Sequence, residues 1–209
     1  MVGNISSIML DNISRYNILL ASGSPRRKQL LEGLGIEFCQ KVLDGIDETY
    51  PDTLPAEQVA QYIAEKKSSA YLESMGDNDL LITADTIVVV QDSDGKSIIL
   101  GKPHDFDEAV HMLKMLSGKT HQVITGCCLS TKKQQRSFST ITNVTFKQLG
   151  DDEIEYYIKK YLPYDKAGAY GIQEWIGYIG VTGIEGSYFN VMGFPIQRIY
   201  AELSTLTKH

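Results

Sequence analysis

The most constraining feature of this 209-residue chain is the run LLITADTIVVV, residues 80–90. A nearly continuous apolar run of eleven residues, rich in β-branched side chains, fits a central strand covered on both faces and leaves no polar face for solvent. Strands of that kind belong to sheets flanked by helices, and the flanking sequence supplies the helices. Asn17–Ala21 reads as a second short buried strand. Ser24-Pro25 then opens a helix in the cap-plus-first-turn-proline manner, with Leu30, Leu31 and Leu34 on one face and Gly35 as its stop. Further helices are predicted from about Pro55 to Tyr71, over Asp105–Leu116, over Asp151–Tyr161 and near Phe194–Leu206. His121–Ser130 and Ser139–Lys147 read as paired strands. Residues 1–16 read as a loose extension, and the glycine-rich stretch Gly168–Gly193 as irregular site loops. Interleaved helices and strands give one α/β domain over residues 17–209.

Composition excludes several function classes. The net charge of −6 and pI near 5.2 argue against a general affinity for nucleic acid or an anionic membrane, so a polyanionic ligand needs a local cluster of cations. No apolar run is long enough for a membrane span, and the N-terminus lacks the form of a signal peptide. Cys39, Cys127 and Cys128 contain no C-x-x-C pair and read as reduced thiols of a cytoplasmic protein. P-loop, G-x-G-x-x-G and nucleophile-elbow patterns are absent, and no Ser–His or Cys–His pair suggests covalent catalysis.

Three constellations could carry chemistry. Ser22-Gly23-Ser24-Pro25-Arg26-Arg27 leads a strand through a turn into a helix N-terminus, where backbone N–H groups, two hydroxyls and two guanidiniums favour an anion. Arg27 shares the helical face of Leu30, Leu31 and Leu34 and so points inward, although an ordinary capped helix with solvated arginines has the same local sequence. Asp85 interrupts an apolar strand, which is expensive unless its carboxylate meets a cation, a metal or a hydrogen-bond network; a strand-end cap is the plain alternative. Lys66 and Lys67 both lie in the apolar arc of their helix, so one of them reaches a cleft or both snorkel to solvent. Gly101-Lys102-Pro103 sets a lysine in a rigid turn, and Ile46-Asp47-Glu48 offers a second carboxylate for a metal at Asp85. The stretches DKAGAYGIQ and GSYFNVMGFP mix glycines with amides and hydroxyls, as a base-reading surface or a tightly packed corner would.

Taken in order, LASGSPRRKQLLEGLGIEF, IDE at 46–48, A-x-x-K at 64–67, TADTIVV, GKP, VTF, DKAGAYGIQ and GSYFNVMGFP resemble the Maf (septum-formation) family of nucleotide pyrophosphatases, from about residue 17 to 200. The resemblance implies an elongated mixed sheet with flanking helices and a cleft between two lobes, similar to the inosine triphosphatases. It implies hydrolysis of dTTP and UTP to the monophosphate and pyrophosphate with a divalent cation, Mg²⁺ or Mn²⁺. The family's catalytic carboxylate falls on Asp85 and its phosphate-handling residues on Ser22, Ser24, Arg26, Arg27, Lys67 and Lys102, with Glu48 and Asp85 as metal ligands; A-x-x-K selects Lys67 over Lys66. Arg26, Thr86 and Gln173 match the dTTP/UTP branch, whereas 7-methyl-GTP hydrolases carry Trp in place of the first arginine. Glu174-Trp175 departs from the family's usual glycine and places bulk beside Gln173. Whether Asp85 acts as general base or metal ligand stays open. The expected partner is a nucleoside triphosphate, with no nucleic acid and no membrane, and a homodimer left open. The alternative function is a nucleotide-binding regulator of cell division and septum formation with little turnover.

Overall fold

A computed structural model of the chain describes residues 10–206. The apolar run forms β3 (Asp79–Gln91), buried along almost its whole length, at the middle of a seven-stranded mixed sheet. β1 (Asn17–Leu20) lies parallel to β3, with Ile18 opposite Leu80, and β2 (Cys39–Gln40) lies parallel to β1. β4 (Ser97–Leu100) turns back antiparallel on the second half of β3, and β5 (Thr120–Ser130), β6 (Gln135–Phe146) and β7 (Val181–Glu185) complete the order β2-β1-β3-β5-β6-β7. The α/β class read from the sequence is the one observed. No helix among the described residues is long and apolar enough to cross a membrane.

The chain forms two compact units, one made of Met1–Asp85, Gly126–Thr140 and Gly193–His209, the other of Thr86–Thr125 and Ile141–Met192. In the first, α1 (Pro25–Glu32) and the last helix pack on the sheet around Leu20, Leu31, Leu80, Ile82, Leu129, Phe194 and Leu203, and α2 (Ala56–Ser69) buries Val59, Ala60, Ile63 and Ala64. The described part of the expected loose extension is not loose. Leu10 and Ile13 are buried in this core, and the Asn12 amide donates to the carbonyls of Leu203 and Leu206 at 2.7 and 3.1 Å. Residues 1–9 of that expectation lie outside the described residues. Helix α1 also stops earlier than Gly35: Gly33 caps it, and Gly35 takes the left-handed turn that follows (φ +68°).

The second unit holds α3 (Phe106–Leu116) and α4 (Asp151–Tyr161) over Val88, Val90, Leu113, Phe146, Tyr157 and Ile176. Acidic residues in the first turn of α4 offset its dipole, as the sequence suggests. The glycine-rich region expected to be irregular contains α5 (Trp175–Gly180), β7 and α6 (Tyr188–Val191) before α7 (Ile196–Ser204) closes the chain in the first unit. Some of its glycines are there for close packing. A Cβ on Gly177 would sit 1.8 Å from the Ile172 carbonyl oxygen, so α5 can lie against that strand of chain only without a side chain. His121 is buried edge-on against Phe146 and Tyr170, and burial pushes its pKa down to about 4. All three cysteines are unpaired; Cys127 is buried and its thiol is pushed up to about 12, too high for a nucleophilic thiolate.

Candidate active site

Helix α2, strand β3 and the loop before α2 bring a lysine and two carboxylates together in the first unit. Helix α2 comes down onto β5 where Gly126 leaves room: a Cβ there would lie 2.2 Å from the Gln61 amide nitrogen. The Thr83 hydroxyl on β3 donates to the Ala64 carbonyl at 2.7 Å, and two strand residues on, Asp85 meets Lys67. The i, i+3 step of the helix therefore keeps pace with the i, i+2 step of the strand, which is the physical content of A-x-x-K beside TADT. Lys67 Nζ lies 2.7 Å from Asp85 Oδ1 and 3.0 Å from Glu48 Oε1. The Lys67 and Asp85 side chains are 14% and 12% exposed, so this pair is largely desolvated, while Glu48 is half-exposed. Lys66 takes the solvent side instead, pairing with Asp47 at 2.6 Å and the Thr49 carbonyl at 2.9 Å. That hydrogen bond, with help from Thr49, draws the Asp47 carboxyl down to about 2. The two adjacent acids of Ile46-Asp47-Glu48 are thus divided between the two adjacent lysines.

The turn between β1 and α1 is built around Arg27. Ser24 caps the helix, its hydroxyl accepting from the Arg27 amide. The guanidinium points inward, as its helical face requires. Nε donates to the Gly193 carbonyl at 2.8 Å, and Nη1 to the Ala84 carbonyl at 2.7 Å and the Ser22 hydroxyl at 3.2 Å. At least three of the five N–H groups of this side chain are thereby committed to the protein itself. Burial lowers the Arg27 pKa, and the nearby Asp85 charge opposes that fall. Arg27 is consequently a positioning residue at least as much as a phosphate ligand: it ties the turn to the residue preceding Asp85. Ser22 is buried, and its oxygen accepts from both the Ser24 amide and Arg27, which leaves its proton as the hydroxyl's remaining hydrogen-bonding capacity. Arg26 is half-buried, and a Cβ on exposed Gly23 would meet nothing within 4 Å.

The second unit places the remaining expected residues. Successive strand residues face opposite ways, so Thr86 leaves β3 on the face opposite Asp85; its hydroxyl lies 3.0 Å from that of Thr125. Lys102 is exposed in a turn held by a 2.9 Å bond from the Gly168 amide to the Gly101 carbonyl. Gln173 is half-buried, and its side-chain oxygen is shielded without a hydrogen-bond partner. The loop that carries it is stapled on both sides. Lys166, buried, pairs with Asp165 at 2.6 Å and Glu174 at 3.1 Å; Tyr157 donates to Glu174 and accepts from the Gly171 amide at 3.0 Å. The bulk expected beside Gln173 is committed elsewhere: the Trp175 ring packs edge-on against Tyr156 of α4, centroids 4.8 Å apart.

Several of these supports were not legible as site residues. Tyr157 is one of many apolar-face residues of an amphipathic helix, and Gly126 and Thr125 sit in an apolar strand. Glu174 carried a signal, its departure from the usual glycine, but its partner Lys166 did not.

Two carboxylates directed at one cation suit a divalent ion, which binds through one or two carboxylates and completes its shell with water and phosphate oxygens. Among the described residues no group of three or more His, Cys, Asp or Glu could hold a metal without such help.

Residues 17–206 match the family described as Maf-like protein. The dTTP/UTP pyrophosphatase of Phocaeicola vulgatus is 61% identical over 198 residues, covering 95% of this chain and 100% of that relative. The dTTP/UTP pyrophosphatases of Bacteroides fragilis and Flavobacterium johnsoniae are 54% and 44% identical, each over 95% of this chain and 100% of the relative. A solved nucleoside-triphosphatase (dITP/XTP pyrophosphatase) of Mycobacterium abscessus aligns over 64% of this chain and 75% of that one at 12% identity, with a TM-score of 0.38 too low to carry an argument. On the family match and these identities, the chain belongs to the Maf-like protein family.

Proposed function

We propose that the chain hydrolyses dTTP and UTP to the nucleoside monophosphate and pyrophosphate, by attack of water on the α-phosphorus. The observation that carries this reading is the largely buried Asp85–Lys67 pair with Glu48 beside it. A fold gains nothing in stability from such a pair that apolar side chains could not supply. For a hydrolase it sets a carboxylate and a cation side by side out of water. Asp85 Oδ1 is engaged by Lys67, and among the described residues Oδ2 takes no hydrogen bond. Oδ2 would accept the proton of the attacking water as the new O–P bond forms and the bridging α–β oxygen departs with pyrophosphate. Ser22, Ser24, Arg26, Arg27, Lys67 and Lys102 would bind triphosphate oxygens through charge-assisted hydrogen bonds. Asp85 and Glu48 would hold Mg²⁺ or Mn²⁺, which when bound neutralises charge along the triphosphate. Such chemistry depends on positioning and electrostatics and needs no protein nucleophile.

The names of the relatives support a pyrimidine nucleotide, with Arg26, Thr86 and Gln173 as the selective residues. The shielded side-chain oxygen of Gln173 supports this as well, since a buried acceptor without a partner is costly unless a ligand supplies one. Unpaired Cys39, Cys127 and Cys128 suit a cytoplasmic, reducing location. The test is a panel of dTTP, UTP, CTP, dATP and dGTP with pyrophosphate and orthophosphate measured separately, with and without chelator. One pyrophosphate per monophosphate, fastest for dTTP and UTP and lost on chelation, is expected. Nucleoside diphosphate with orthophosphate would overturn the reading.

A further inference from the structure

The segment that carries Glu48 runs from β2 to α2 without secondary structure of its own. Its start is fixed by Tyr71, whose hydroxyl accepts from the Leu43 amide at 2.8 Å and donates to the Lys41 carbonyl at 3.0 Å. Ile46 then packs on the cluster of Ala21, Tyr71, Met75 and Leu81. From Asp47 to Thr49 the hold is Lys66. An ammonium has three protons, and Lys66 has three acceptors in reach: Asp47 Oδ2 at 2.6 Å, the Thr49 carbonyl at 2.9 Å and the Thr49 hydroxyl at 3.2 Å. Thr49 closes the ring from its own side. Its amide donates to Asp47 Oδ1 and its hydroxyl to Oδ2, both at 2.9 Å.

Glu48 lies between the two residues held in this way. Lys66 and Lys67 are consecutive on α2 and so leave it about 100° apart around the axis. With Asp47 and Thr49 tied to the first lysine, the residue between them is delivered to the second, 3.0 Å from Lys67 Nζ. That contact is a single ion pair on a half-exposed side chain, too weak by itself to order a loop. The Lys66 clasp adds little to global stability either, because its charged partners are 31% and 61% exposed. Its effect is local: all three protons of one side chain are spent on the three residues centred on Glu48.

Resting on the reading of Asp85 and Glu48 as the carboxylates that hold Mg²⁺ or Mn²⁺, we propose that Lys66 is a positioning residue: through Asp47 and Thr49 it aims Glu48 at the divalent ion beside Asp85. The charges make the proposal testable by sign. Lys66 is a cation next to a cation site, so on Coulomb attraction and repulsion alone its removal would tighten metal binding. Losing a residue that orients a metal ligand from outside has the opposite effect, weakening binding by about ten- to a hundredfold. Charge and positioning therefore pull the measured affinity in opposite directions.

The experiment titrates the nucleotide-free protein with Mn²⁺ alone, following the free ion by electron paramagnetic resonance, with urea unfolding as a check on folding. The proteins are wild type, Lys66→Met, Glu48→Gln, Lys66→Met/Glu48→Gln and Thr49→Val. Lys66→Met should unfold near the wild-type midpoint and bind Mn²⁺ about tenfold more weakly. Glu48→Gln should weaken binding at least as much, and adding Lys66→Met to it should weaken binding no further, because the clasp then has no carboxylate to aim. Thr49→Val removes an acceptor of Lys66 and a donor to Asp47 without changing any charge. It should also weaken Mn²⁺ binding, and it stands in for Lys66→Met if that variant does not fold. Mn²⁺ held as tightly as by wild type, or more tightly, in folded Lys66→Met or Thr49→Val would overturn the inference. So would a double variant weaker than Glu48→Gln, a Glu48→Gln protein that binds normally, or a wild type that binds no Mn²⁺. Pyrophosphate release from dTTP by the wild type is measured alongside; its absence would overturn the hydrolase reading and leave the Mn²⁺ result standing.

Discussion

Replacing Lys67 by methionine would remove the cation and keep most of the packing volume of the stem, so it isolates the electrostatics of the Asp85 corner. The ion pair is 2.7 Å long, and its partners are only 14% and 12% exposed. At an effective dielectric near 20 its gross attraction is about 6 kcal/mol, most of it offset by the desolvation of both charges. Removing one partner leaves that desolvation uncompensated, which for a buried pair costs about 3–5 kcal/mol. Arg27, whose charge acts on Asp85, remains, so the lower end, about 3 kcal/mol, is the expected loss. In Lys67→Met/Asp85→Asn neither charge remains, and the double variant should regain about 2 kcal/mol of that loss. Glu48 contributes little, because its side chain is half-exposed. The assay is urea unfolding of the nucleotide-free protein at neutral pH. A Lys67→Met protein within about 0.5 kcal/mol of wild type, or a double variant no more stable than Lys67→Met, would refute the argument that Asp85 is held as a desolvated charge.

Asp85→Asn should lower turnover by about two orders of magnitude or more, since it removes the proton acceptor and a metal ligand together; its unfolding midpoint should fall below that of wild type, because the Lys67 ammonium keeps only half-exposed Glu48 as a partner. A folded variant with near-normal turnover would move the catalytic centre elsewhere. Acidification should weaken the second unit through His121, whose pKa in the folded protein is about 4 against an ordinary 6.5. The unfolded chain binds the proton first, so this contribution to stability is intact above pH 6.5 and falls as pH drops toward 4. Linkage gives a loss of about 2 kcal/mol between pH 7 and pH 5. Urea unfolding of wild type and His121→Phe at both pH values measures it: the variant should show a pH dependence shallower by that amount, and equal slopes would contradict the assignment.

The sequence by itself determined what depends on local period and local chemistry. An apolar run too long and too continuous for a solvated strand had to be central, and a carboxylate inside it had to be matched, which pointed to Asp85 before any partner was visible. Ser24-Pro25 had to start a helix, because cap geometry is decided within four residues. The spacing of α2 likewise put lysines on its apolar arc, but two of them, Lys66 and Lys67, fit that arc almost equally. Only the seating of α2 on Gly126 and Thr83 sent one to Asp85 and the other to Asp47. The same division holds throughout the site. Arg27 finds its acceptors 57 and 166 residues away, and Glu174 joins Lys166 and Tyr157 instead of crowding Gln173. Residue type sets how many protons a side chain can give or take, and the sequence displays that inventory in full. Which of them are already committed depends on pairings across the sheet, and those were settled by register and close packing alone.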